Sequence, residues 1–206
     1  MSHADELARL KELYLPPSTH PVLVDVPQFR YVVIDGHDAT DRAALEYATR
    51  WLLAAVLPTK KIARERMGKE FVEAPLEGLW WADDPADLVH ANRERLRWRL
   101  MIVTPEWMTE AMLEEGVRAA AARLGERPES LRFEALHEGL SAQVMHVGPN
   151  AQEPATIARL HDEFLPANGL IAHGKHHEIY LNDPTRVAPE RLKTVIRHPV
   201  RRVSHR

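Results

Sequence analysis

The chain has 206 residues, no cysteine, 27 basic against 30 acidic side chains and 45% hydrophobic residues. That length supports one large domain or two small ones with a core that needs no disulfide or metal. The missing cysteines exclude disulfide frameworks, thiolate nucleophiles, Cys-type zinc sites and iron–sulfur clusters, and the charge balance leaves no overall nucleic-acid footprint.

The first predicted element is a short amphipathic helix over Glu6 to Tyr14, with Leu7, Leu10 and Leu13-Tyr14 at helical spacing and Pro16-Pro17 ending it. Val22 to Val26 reads as a strand broken by Pro27, and Phe29 to Asp35 as its partner, closed by Gly36. Asp38 to Leu57 has capping side chains at its start (Thr40, Asp41) and an apolar stripe of Leu45, Ala48 and Leu52. It reads as a helix that Pro58 stops. Lys60 to Glu70 reads as a charged, solvated connection. A strand over 73–81 and another over Leu96 to Val103 follow. Met108 to Leu124 is a helix with Thr109 near its start and Gly125 as its stop. Leu131 to Leu136 and Leu140 to Val147 are strands, Pro154 to Leu165 a helix, Leu170 to Asn182 one or two strands, and Leu192 to Pro199 the last strand. The basic tail Arg201 to Arg206 is expected to fray.

The chain also matches itself. Residues 31–53 lie on 143–165 without a gap, so Gly36 meets Gly148 and the stripe Leu45, Ala48, Leu52 meets Ile157, Leu160, Phe164. At shorter offsets Leu76-Glu77-Gly78-Leu79-Trp80 faces His177-Glu178-Ile179-Tyr180-Leu181, and Met101 to Pro105 faces Val195 to Pro199. The expected fold is α+β: two strand-helix-strand-strand units (about 20–105 and 131–200) joined by the helix 108–124. They form one domain over 1–206, in a pseudo-twofold arrangement of antiparallel sheets with packed helices and a central ligand cleft. On this alignment Glu77 and Glu178 are equivalent.

Strand alternation puts Glu77, Leu79 and Trp81 on one face, with Gly78 and Trp80 on the other. His176, Glu178 and Tyr180 share a face, and His177 and Ile179 point away. Aromatic walls with one or two carboxylates describe a site for a flat, mostly apolar molecule, and a partly desolvated glutamate there is a candidate acid or base. The candidate catalytic residues are therefore Glu178, Glu77 and Tyr180. The candidate ligand contacts are Trp81, Trp80, Trp98, His176, Leu79 and Met101. Trp51 and Trp107 are assigned to packing. His173, His176, His177 and Glu178 fall within six positions, and His146 or His161 could join His176 and Glu178 around an ion. The spacing matches no helical metal motif, and the sequence assigns no metal and no cofactor. No apolar run approaches the ~18 residues that span a bilayer. The polar start Met1 to Glu6 is unlike a signal peptide. A cytoplasmic monomer or homodimer without nucleic-acid or membrane partners is expected.

Leu23-Val24-Asp25-Val26-Pro27, Pro75-Leu76-Glu77-Gly78-Leu79-Trp80-Trp81, His146-Val147-Gly148-Pro149 and His176-His177-Glu178-Ile179-Tyr180-Leu181 with Asp183-Pro184 together resemble the GyrI-like small-molecule-binding proteins, the SbmC-type fold. The resemblance runs from about Leu13 to Val200 and looks strongest to the stand-alone branch that includes cyclopropanoid cyclohydrolases. It implies a pseudo-twofold α+β fold whose cleft takes aromatic or cationic small molecules. For the enzyme branch it implies detoxification, by addition of water to the strained cyclopropane of DNA-alkylating compounds. Glu77, Trp81, Glu178 and Tyr180 stand at the family's cleft positions. Asn150 departs from the aromatic residue that relatives carry after Gly-Pro. The alternative function is a non-catalytic binder or sequestering protein with the same site.

Overall fold

The computed structural model describes residues 12–71, 74–84 and 92–203. Most of the first expected helix lies outside them, with Glu12 to Tyr14 helical, and so does the end of the basic tail. Two compact units emerge: a mid-chain unit, Phe29–Leu136, and a terminal unit made of the chain up to Gln28 and from His137 onward.

In the mid-chain unit the strands are β1 (Val22–His37, its part from Phe29 on), β2 (Leu76–Trp81) and β3 (Arg97–Thr104). β3 is the middle strand, antiparallel to both neighbours, with Val33 opposite Met101 on one side and Glu77 opposite Met101 on the other. Two helices, α1 (Arg42–Met67) and α2 (Glu110–Leu124), cover one face. Val32, Ile34, Leu100 and Ile102 point into that layer and meet Trp51, Leu52 and Val56 of α1 and Leu113 and Val117 of α2. The helices approach closely at Gly116, where a Cβ would sit 2.0 Å from the Ala55 carbonyl oxygen.

Two expectations about proline are corrected here. α1 does not stop at Pro58 but runs on to Met67, where Gly68 closes it at φ 61°. An interior proline costs a helix about 3 kcal/mol. The apolar stripe nevertheless continues beyond it through Thr59, Ile62 and Ala63, and that face packs against α2. The segment read as a solvated connection is thus mostly the last turns of α1. Similarly, β1 is a single strand through Pro27, because proline's fixed φ suits extended backbone and removes only one ladder donor.

The terminal unit contains β4 (Arg132–Val147, from His137 on), β5 (Leu170–Ala172), β6 (His176–Tyr180) and β7 (Lys193–Arg202). β7 pairs antiparallel with β4, β6 and β5. β4 was expected as two strands and is one, with Gly139 at φ 64° inside it. The helical segment between β4 and β5 starts as α3 (Glu153–Ala158), passes through a π-helical turn at Arg159–Phe164 and ends in Leu165–Ala167. Leu160 and Leu165 pack on Ala142, Val144 and Ile196, so one face of this sheet also carries its helix.

Up to β3 the mid-chain unit runs strand, helix, strand, strand; the terminal unit runs the same way from β4 with the short β5 added before β6, and in both the last strand is in the middle. Val33 faces Met101 in one, and Met145 faces Val195 in the other, as the sequence match requires. The third strand departs by one residue. Glu77 is opposite Met101, while the residue opposite Val195 is Ile179. A one-residue slip inverts which face a side chain takes. The expected equivalence of Glu77 and Glu178 is thus corrected: Glu178 is on the helix-bearing face of its sheet, and Glu77 is on the helix-free face of its own.

Candidate functional site

On β6, positions two apart share a face, and the structure brings His176, Glu178 and Tyr180 together there. The Tyr180 hydroxyl donates to Glu178 Oε2 at 2.7 Å, and His176 Nε2 lies 3.1 Å from Oε1. The Glu178 side chain retains 14% of its exposure. Its two oxygens are held by different partners. Such a carboxylate is held in one orientation.

Two more histidines approach from other elements. His198 on β7 is T-shaped to His161 at 4.9 Å between ring centres and 6.0 Å from His176. One ring nitrogen from each of His161, His176 and His198 lies within 4.8 Å of the others. Burial, reinforced by the two neighbouring imidazoles, pushes His198 down to about 3, although the Gly174 backbone carbonyl opposes this. Burial also lowers His161, with His176 adding to it. The opposite face of the terminal unit's sheet is closed by a buried ion network. Glu138 meets His177 Nδ1 at 3.0 Å and Arg197 Nη1 at 3.1 Å, and Arg197 also donates to Gln143 and to the Leu13 carbonyl. Burial alone would raise the Glu138 carboxyl, but His177 and Arg197 outweigh it and hold it at about 2.

The remaining sequence-predicted residues fall in the mid-chain unit. Glu77, Leu79, Trp81 and Met101 share the helix-free face, where Leu79, Met101 and Trp81 cluster with Tyr31 and Val33. Glu77 is 0% exposed. Trp80 and Trp98 are on the other face, within the helix-covered core. Trp98 is 3% exposed, covers Gly36 and donates its indole N–H to the His37 carbonyl, so in this structure it is a packing residue rather than an open wall. Trp51 is fully buried, as expected. An open groove of about 730 Å³ in the terminal unit is lined by His146, Gln152, Thr156 and Arg159 among others, and contains none of the predicted catalytic residues.

The model of the GyrI-like small-molecule-binding domain matches residues 21–201. The chain belongs to the GyrI-like family. Among solved structures, an uncharacterized conserved protein of Listeria innocua is 31% identical, with a TM-score of 0.82 over 93% of this GyrI-like chain and 96% of that one. A hydrolase of Listeria innocua is 29% identical, with a TM-score of 0.78 over 94% and 98%. Another hydrolase of the same organism is 30% identical, with a TM-score of 0.77 over 93% and 96%. No curated protein matches the chain. The α+β fold expected from the sequence is that of these relatives, and no helix among the described residues is long and apolar enough to cross a membrane.

For this GyrI-like domain, sequence reasoning reached the His176-Glu178-Tyr180 face and named His161 as one possible neighbour, but it missed His198 and the Glu138–Arg197 pair. Alternation alone put His198 on the face of its own strand that Ile196 takes; the β6–β7 register, with Ile196 opposite Glu178, is what brings it to this site.

Proposed function

We propose that this GyrI-like domain is a detoxifying hydrolase that adds water to electrophilic aromatic compounds bearing a strained cyclopropane, with Glu178 as the general base. The observation that carries the reading is the Glu178 carboxylate, fixed by the Tyr180 hydroxyl and His176 and still reachable from solvent. Support also comes from the two Listeria relatives described as hydrolases at 29% and 30% identity. In the reaction Glu178 takes a proton from water as the water oxygen bonds to the ring carbon. The strained C–C bond breaks, and its electron pair passes through the conjugated system to a carbonyl oxygen, which then takes a proton. Tyr180 donates its O–H to Glu178 and so holds the base in place. Glu77, fully buried, is the less accessible carboxylate.

The test follows product formation by mass spectrometry and binding by tryptophan fluorescence, across planar cationic and electrophilic aromatics. Glu178→Gln should lose turnover by at least 100-fold while still quenching, consistent with the contribution of a positioned base. If Glu178→Gln and Glu77→Gln both turn over at the parent rate, the carboxylate mechanism is wrong. Tight binding by the parent without turnover of any compound would make sequestration the function.

A further inference from the structure

We propose that His161, His176 and His198 form a binding site for one divalent transition-metal ion of the Zn²⁺ class, with Glu178 as the carboxylate that orients His176. Three separate elements converge: His176 comes from β6, His198 from β7 and His161 from the π-helical turn. Single π turns within helices are frequent at functional sites. One ligand nitrogen from each lies within 4.8 Å of the others, a separation that small side-chain movements close around an ion held at about 2 Å per bond.

The tautomers implied by the hydrogen bonds favour this use. His198 is 8% exposed, and its Nδ1 has no hydrogen-bond partner. That bare Nδ1 is the nitrogen open to an ion. A buried, unpartnered ring nitrogen costs free energy unless something binds it. His176 directs Nε2 to Glu178 Oε1, so its Nδ1 is the nitrogen left for an ion. A metal-ligating histidine that donates its second N–H to a carboxylate is the usual arrangement in such sites, and it fixes ring orientation and tautomer. Three imidazoles leave a fourth position for water or a ligand atom, and an imidazole set suits Zn²⁺, Co²⁺ or Ni²⁺ better than Mg²⁺ or Ca²⁺. An ion here would lock the Glu178–His176 contact.

The experiment uses the full chain, stripped with chelator and titrated calorimetrically with Zn²⁺, and with Co²⁺ followed by its visible d–d absorption. The expected result is one ion per chain with the absorption of a four-coordinate site. His161→Ala and His198→Gln should each bind at least tenfold more weakly, Glu178→Gln about 10- to 100-fold more weakly, and His146→Ala as the parent does. Circular dichroism without metal reports whether each variant is folded. His161 is half-exposed, so its variant decides the matter even if His198→Gln does not fold. Absence of stoichiometric binding by the parent overturns the proposal, as does parent-like binding by folded His161→Ala. The readout is metal affinity and needs no substrate, so its failure is separable from failure of the hydrolase reading.

Discussion

Replacing Glu138 by Gln tests whether the buried network is a true ion pair. The Glu138 side chain is 3% exposed and Arg197 2%. In the unfolded chain the carboxyl titrates near 4.5, and in the folded chain at about 2. A folded pKa below the unfolded one contributes stability that is present above pH 4.5 and is lost as pH falls through about 2. The shift corresponds to on the order of 3 kcal/mol, in the range for leaving one member of a buried pair without its partner. Urea unfolding of parent and Glu138→Gln, followed by circular dichroism, should therefore differ by about 3 kcal/mol at pH 7, or roughly 6 to 12 °C in Tm for a chain of this size. By pH 3.5 about 1 kcal/mol of that difference should be gone, because the unfolded parent has taken up a proton the folded parent still refuses. Subtracting the variant cancels other carboxylates that titrate alike in both. A difference below about 0.5 kcal/mol at pH 7, or one that stays constant down to pH 3.5, refutes the reasoning.

Tyr180→Phe removes the hydroxyl that donates to Glu178 Oε2. Turnover of an accepted substrate should fall about 10- to 100-fold, the rate equivalent of the about 1.5–3 kcal/mol that a hydrogen bond to a charged group contributes. Equal rates for variant and parent would remove Tyr180 from the mechanism. Gly116→Ala inserts a methyl group 2.0 Å from the Ala55 carbonyl oxygen, a backbone atom that cannot swing aside. The helices must separate, and a loss of about 1–3 kcal/mol or more by thermal denaturation is expected. Parent-like stability would contradict the close α1–α2 approach.

Much of the fold was legible because it depends on local periodicity. The helix 110–124 is bounded as its Thr109 cap and Gly125 stop suggest, with the Thr109 side chain accepting from the Met112 N–H. The period-two alternation of β6 is enough to put His176, Glu178 and Tyr180 on one face. What misled was local punctuation read as decisive. Pro58 and Pro27 interrupt hydrogen bonding at one position each, and the packing of the residues on either side outweighed that cost.

By itself, then, the sequence determined the α+β class, the order of strands and helices, and the chemistry available to a cysteine-free chain: carboxylates, phenols and imidazoles. Tertiary structure alone decided which of those groups meet. Strand register moved Glu77 to the helix-free face and Glu178 to the helix-bearing one, because a slip of one residue in a period-two structure exchanges faces. Register also brought His198, 20 positions beyond Glu178, to His176, and the π-helical turn brought His161 to both. Contacts between elements distant in sequence depend on pairing and packing, which local periodicity does not encode.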